Sequence, residues 1–148
     1  MKFSKKSRYG VAALIDLAVN SKNGHVALGS IAERNEISPQ YLEQVFASLR
    51  RAGIVKSVKG SQGGYLLKYP SSSITVASII QALEGTYYLD DEETKTEGSA
   101  AGIAETIQED IVDRVNHGLD QILQNLTLAD LEESFQERQS GGQEMYYI

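Results

Sequence analysis

The chain has 148 residues, 41% of them hydrophobic, no cysteine and a formal net charge of −6. That length supports one domain, or one small domain with an oligomerisation arm, and the composition argues for a folded chain. The missing cysteines exclude disulfides, thiolate metal sites and cysteine-ligated iron–sulfur clusters, and no apolar run approaches the roughly 20 residues that cross a bilayer.

In chain order, the spacing predicts a first helix from Ser4 to Val19 with Tyr9, Ala13, Leu14, Leu17 and Ala18 on its apolar face. Its start collects Lys2, Lys5, Lys6 and Arg8, cations beside the positive end of a helix dipole; an external anion such as phosphate would relieve that conflict. This basic start leads into no continuous apolar core, so no signal peptide is expected and the cytoplasm is the expected compartment. After a turn over residues 21–25, a short second helix is expected from Gly29 or Ser30, with Ser30 and Glu33 spaced as a capping box. Ser38 as N-cap and Pro39 at the first position open a third helix, and Gly53 stops it. Leu42, Val45, Phe46 and Leu49 form its apolar stripe, while Gln40, Glu43, Gln44, Ala47 and Arg51 occupy the opposite face. A short helix, a turn and a longer amphipathic helix make a helix-turn-helix pattern. Strands over 54–58 and 65–67 follow, joined by Lys59-Gly60-Ser61-Gln62-Gly63-Gly64, a glycine-rich hairpin in the place of a wing.

The second half is acidic. Thr75 caps a helix with Val76, Ile79, Ile80 and Leu83 that Gly85 ends, and Asp90 to Gly102 has the composition of a mobile loop. Ile103, Ile107, Ile111, Val115, Leu119, Ile122 and Leu126 then recur every three or four residues along one long helix, a stripe that needs a partner. Thr127 caps a last helix, and a Gly141-Gly142 hinge leads to the aromatic end Met145-Tyr146-Tyr147-Ile148. The expected fold is mainly α with a small β-wing. It comprises a winged helix-turn-helix over residues 1–85, an acidic flexible loop over 86–102, dimerisation helices over 103–138 and a flexible tail over 139–148.

Charge divides the same way. Residues 1–69 carry eleven Lys/Arg against four Asp/Glu, and residues 70–148 carry three against sixteen, so +7 and −13 make up the −6. Two surfaces with different partners are implied: a cationic one for double-stranded DNA, and an anionic one that phosphates would repel. In the major groove Gln40 and Gln44 can bond base edges, and Glu43 can accept from the cytosine amino group while repelling wrong edges. Arg50 and Arg51 suit phosphates, as do Lys2, Lys5, Lys6, Arg8, Tyr9 and Tyr41. Lys59, Gly60, Gln62 and Gly63 at the hairpin tip suit the minor groove or the backbone. Ile103, Ile107, Ile111, Val115, Leu119 and Ile122 are the expected homodimer contacts. Each feature has a plainer alternative: a solvated helix face, an ordinary hairpin, a helix packed within its own chain. A nucleotide-cradling loop is a poor reading, because a strand and not a helix follows the glycines. His25 and His117 stand alone and are expected at the surface or its boundary, with no metal site. No paired acids and no nucleophile with a base appear, so an enzyme is not expected, nor any cofactor.

Arg8-Tyr9-Gly10, Tyr41-Leu42-Glu43-Gln44, Leu49-Arg50-Arg51-Ala52-Gly53 and Lys59-Gly60 with Gly63-Gly64-Tyr65 resemble the signatures of the Rrf-two family of winged-helix repressors. The resemblance runs through residues 1–85. It implies a base-reading role for Glu43 and a minor-groove position for the wing glycines. Many members hold an iron–sulfur cluster with three cysteines in the loop matching Tyr87 to Ala101, where this chain has none. The acidic loop, Thr127-Leu128-Ala129-Asp130-Leu131 and the aromatic end look most like the cysteine-metabolism repressors of Firmicutes. That subgroup implies a complex with cysteine synthase, the O-acetylserine thiol-lyase. Tyr146, Tyr147 and Ile148 would then be the docking tail, a carboxylate on a flexible tether entering a pocket built for an amino acid. A frayed terminus is the plainer alternative. Where some subgroup members carry a redox-sensitive cysteine after the first helix, this chain has His25 nearby, so thiol oxidation is not its switch. The rival readings are a cluster-free member gated by a small ligand and a protein-interaction adaptor that no longer binds DNA.

Overall fold

The computed structural model describes residues 3–91, 97–98 and 100–146, with only the helix backbone described over 143–146. Among these residues seven α-helices and a two-stranded sheet follow in the order α1 (Lys5–Asn20), α2 (Leu28–Asn35), α3 (Pro39–Arg51), β1 (Val55–Val58), β2 (Gly64–Leu67), α4 (Val76–Glu84), α5 (Ala101–Ile107), α6 (Arg114–Leu123) and α7 (Leu128–Tyr146). The architecture is mainly helical with a small antiparallel wing, as the sequence implies. No helix among the described residues is long and apolar enough to cross a membrane.

The core forms around α1, which packs against α2, α3, α4 and α7. Ala13, Leu14 and Leu17 are sealed there against Ile31, Leu42, Val45, Phe46, Leu49, Ile79 and Leu83. Gly10 sets the approach of α4: a Cβ at that position would stand 2.3 Å from Leu83 Cδ1. Ser38 caps α3 by accepting from the Tyr41 N–H, with Pro39 at the first position. The helix ends in a Schellman arrangement, with Gly53 at φ 77°, its N–H bonded to Arg50 O and the Ile54 N–H bonded to Leu49 O.

The second helix departs from expectation. It starts at Leu28, one or two residues early, and its N-cap Ala27 offers no side-chain bond, so Ser30 and Glu33 form no capping box. The cause is long-range. Val26 exchanges both backbone bonds with Tyr65 of β2, at 3.0 and 2.9 Å, and this pairing sets where the chain enters α2. The helix-turn-helix corner is also unusual, because Glu36 takes a left-handed conformation at φ 54° with no glycine to ease it.

The rear half is tied on by α4. Thr75 caps it, and the chain beside that cap pairs with the α6–α7 turn through Val76 N–H to Leu126 O and Leu128 N–H to Ile74 O, both 2.8 Å. Val76, Ala77, Ile80 and Tyr87 make a second apolar cluster with Leu119, Leu123, Leu126 and Leu131. The expected single long helix is α5 and α6 joined by a π-helical stretch, Gln108–Asp113. Side chains four apart drift about 40° per step on an α-helix. The wider π turn takes back part of that drift and holds Ile103, Ile107, Ile111 and Val115 outward together.

Two further expectations are corrected. The acidic loop is not free from its first residue: Tyr87 is buried, and Leu89 exchanges bonds with the Asn116 side chain in both directions. Of that loop, residues 92–96 and 99 lie outside the described residues. The tail does not begin at 139, for α7 runs through Gly141 and Gly142 to Tyr146. Glycine weakens a helix by about 1 kcal/mol without ending it unless the backbone turns left-handed, and neither glycine does.

Candidate nucleic-acid interface

The outer face of α3 and the inner edge of the wing enclose one groove of about 390 Å³, lined by Glu43, Ala47 and Arg50 from the helix and by Ser57, Gly63 and Gly64 from the hairpin. The helix contributes at steps of four and three, so these side chains share one stripe. Gln40 and Gln44 are exposed at the N-terminal end of α3 beside Glu43. Their positions follow from the apolar stripe, since burial of Leu42, Val45, Phe46 and Leu49 forces the remaining residues outward. Phe46 also carries the wing, its ring 4.7 Å from that of Tyr65.

The wing glycines are needed where they stand. A Cβ on Gly64 would meet Val26 O at 2.3 Å, and one on Gly63 would meet Val58 O at 2.3 Å. Gly60 takes φ 124°. Lys59 and Gln62 are exposed at the tip, and the Gln62 carbonyl lies 2.5 Å from His25 Nε2. His25 and His117 are both exposed, as expected.

A second group of cations gathers where α1 meets α3. Lys6 Nζ lies 3.4 Å and Arg51 Nη2 3.3 Å from Ser48 Oγ, so two positive side chains converge on one buried hydroxyl. Arg50 and Arg51 therefore part company, Arg50 on the wing side and Arg51 on the α1 side. Lys5 and Arg8 are exposed over the rings of Tyr9 and Phe3, and Tyr9 meets Tyr41 edge-on at 5.7 Å. Lys2 lies outside the described residues. The two ion pairs among the described residues are Lys22–Glu132 and Arg34–Asp16. Lys5, Lys6, Arg8, Arg50, Arg51 and Lys59 have no carboxylate within ion-pair distance there.

The anion expected at the start of α1 is in part internal. Glu84, at the end of α4, accepts from the hydroxyls of Ser4 and Ser7, the latter at 2.7 Å. Those bonds, with some help from Lys6, hold the Glu84 carboxyl below its usual range. Sequence spacing gave no hint of this, since 77 residues separate Ser7 from Glu84. A similar knot was also missed behind the wing domain. Asp120 of α6 accepts from Tyr87 at 2.5 Å and from Tyr88 at 2.8 Å, which lowers its carboxyl while burial and the same bond raise the Tyr87 phenol.

On the opposite half, Ile103, Ile107, Ile111, Val115 and Ile122 are 41–66% exposed, far more than a core residue. Leu119 differs from these five: it turns inward onto the α4 cluster. The first turns of α7 also pack within the chain, with Leu128 sealed in the main core. Tyr147 and Ile148 lie outside the described residues, and of Tyr146 only the backbone is described.

The family model for Rrf2, described as an iron-dependent transcriptional regulator, matches residues 3–134. The HTH-type transcriptional regulator IscR of Klebsiella pneumoniae is 38% identical over 131 residues, covering 88% of this chain and 79% of that protein. Among solved structures, CymR (YrzC), the global cysteine regulator of B. subtilis, superposes with a TM-score of 0.74 at 36% identity, over 90% of this chain and 98% of that one. T. potens IscR gives 0.73 at 39% identity, over 94% and 91%. These homologues are regulators, not enzymes. An iron centre does not fit the donors present. The chain has no thiolate, and no three or more His, Asp or Glu among the described residues are grouped to hold a metal ion.

Proposed function

Because this chain belongs to the Rrf2 family of DNA-binding transcriptional regulators, we propose that it is a homodimeric repressor whose two α3–wing units read the halves of a palindromic operator. The observation that carries this reading is the groove in which Glu43 and Arg50 face Gly63 and Gly64, flanked by cations that have no carboxylate within ion-pair distance among the described residues. A helix in the major groove and a hairpin beside it are spaced by that groove. Gln40, Glu43 and Gln44 read bases; Lys5, Lys6, Arg8, Arg50, Arg51 and the tip residues Lys59 and Gln62 hold phosphate or the minor groove. Tyr9 and Tyr41 brace the α1–α3 corner. Ile103, Ile107, Ile111, Val115 and Ile122 form the dimer seam, which sets the half-site spacing.

Glu43→Ala tests the reading directly. Each specific base contact is worth about 1–3 kcal/mol, so operator affinity falls by that amount while affinity for unrelated duplex holds or rises. Titration of both duplexes by fluorescence anisotropy decides it, and an equal loss on both refutes base reading. A flat salt dependence of operator affinity would instead favour the adaptor that has lost DNA.

The controlled genes belong to cysteine and sulfur metabolism, with input through a complex with cysteine synthase. Support comes from the likeness to CymR, which extends over 98% of that global cysteine regulator, and from the absence of thiolates for a cluster. Titrating cysteine synthase into the protein–operator complex checks this. Tightened binding that is lost on removing residues 144–148 supports it, and no change leaves a small ligand as the effector. The expected compartment is the cytoplasm.

A further inference from the structure

The wing is secured very differently at its two ends. At the root, β1 and β2 pair from Val55↔Leu67 to Val58↔Gly64, Tyr65 packs on Phe46, and Val26 adds two backbone bonds along the outer edge. Beyond Val58 the ladder stops. Residues 59–63 keep one backbone bond of their own, Gly63 N–H to Gly60 O at 3.1 Å, and contain two glycines. Such a loop has many conformations open to it.

One bond reaches the tip from outside the hairpin among the described residues: His25 Nε2 to the Gln62 carbonyl, 2.5 Å. The acceptor is a carbonyl, so the imidazole donates through an Nε2–H. The ring is exposed and contributes little to the core. Its base, however, is fixed, because the next residue, Val26, is held by Tyr65 on both its N–H and its C=O. A rigid post thus stands beside a loose loop and is bonded to it at one point.

We propose that His25 is a positioning residue that latches the wing tip, holding Lys59 and Gln62 in the orientation used on the duplex; this rests on the DNA-reading role of the wing given above. An unlatched tip must be ordered at the moment of binding, and that ordering is subtracted from affinity. The latch acts through the backbone of residue 62 and so leaves the Gln62 side chain free for the groove.

The test uses two substitutions that differ in where they place an N–H. In His25→Gln the amide nitrogen occupies the place of Nε2, whereas in His25→Asn it sits at the place of Nδ1, too short to reach Gln62. Amide exchange is followed at residues 59–63, with Val26 and Tyr65 as internal references. Binding is measured on a duplex that the wild-type chain selects from a random-sequence pool, in the wild-type and the Lys59→Ala/Gln62→Ala backgrounds. His25→Asn is expected to speed tip exchange and weaken binding by about fivefold each, the net worth of one hydrogen bond. His25→Gln stays within about twofold of wild type, and in the double-alanine background His25→Asn costs nothing further. Unchanged tip exchange, equal behaviour of the two variants, or an undiminished loss in the double-alanine background overturns the proposal; the last result would mean that the ring touches DNA itself. If the wild-type chain selects no duplex, it is the DNA-reading role that fails, and the exchange measurement alone upholds or overturns the latch.

Discussion

The α3–wing face and the α5–α6 face are both exposed, yet for opposite reasons. The first is polar and cationic over a core already closed beneath it, so that its residues point outward because Leu42, Val45, Phe46 and Leu49 have filled the interior. The second is apolar and outward because nothing among the described residues covers it: Ile103, Ile107 and Ile111 are at least half exposed. A finished surface differs from an unfinished one in what water does to it. Charged groups are well solvated alone, whereas a continuous isoleucine stripe is stabilised only when buried. The front half therefore reads as a surface for a polar ligand and the rear as half of an interface.

The comparison is broken most severely at Ile111. With Ile111→Asp the stripe carries a charge at its middle, and the proposed dimer is expected to dissociate. Losing the second reading unit costs about a hundredfold or more in operator affinity, since the two half-sites no longer share one binding event. Analytical ultracentrifugation and anisotropy read the two effects together. A chain that stays dimeric and binds normally would move the interface elsewhere. Leu119→Ala sharpens the same contrast, because Leu119 lies in the repeat but turns onto α4. It should destabilise the fold by roughly 1–2 kcal/mol, less than a sealed leucine would, while leaving the dimer constant unchanged. Urea unfolding at several protein concentrations separates these contributions.

The two halves also differ in how much of each can be read from the residues alone. In the front half the signals are local. Ser38 and Pro39 start α3, Gly53 ends it, Thr75 starts α4 and Gly85 ends it, because caps are satisfied by neighbours within a turn. What escaped was set by distant partners. The Val26–Tyr65 pairing displaced the expected Ser30 cap, Glu84 reached Ser4 and Ser7 from the end of α4, and His25 found the wing carbonyl. In the rear half even the periodicity misled in detail. Steps of four suggested one uniform face, but the π turn and the α4 cluster sort Leu119 away from its neighbours. The Gly141-Gly142 pair read as a hinge, yet glycine with helical φ is only a weak helix residue.

The carboxylates that tie the halves to α1 and to the 86–91 segment give a graded test by acid. Glu84 and Asp120 are both held below the usual carboxyl range by hydroxyl donors. A lowered carboxyl contributes stability that is fully present above its unfolded value, and that contribution is lost as pH falls through the folded one. The wild-type chain should therefore lose stability faster than Glu84→Gln or Asp120→Asn as pH drops below about 4.5, and the curves should converge in acid. Thermal unfolding at stepped pH reads this. Parallel curves would mean that the hydroxyl bonds do not persist in solution.

The smallest expected effect lies at the corner between α2 and α3. Glu36 holds φ 54° while its N–H closes α2 onto Ala32 O and Glu33 O. An L-residue with a Cβ meets its own carbonyl there, at a cost of roughly 1–2 kcal/mol. Glycine avoids that cost but gains entropy in the unfolded chain, which takes part of the benefit back. Glu36→Gly should therefore stabilise the fold by about 0.5–1 kcal/mol. It also removes one negative charge from the half that carries +7, so affinity for any duplex should rise slightly and without sequence preference. A stability gain with uniform tightening keeps the corner a structural joint beside the reading face. A change in base preference would instead place Glu36 among the residues that touch the operator.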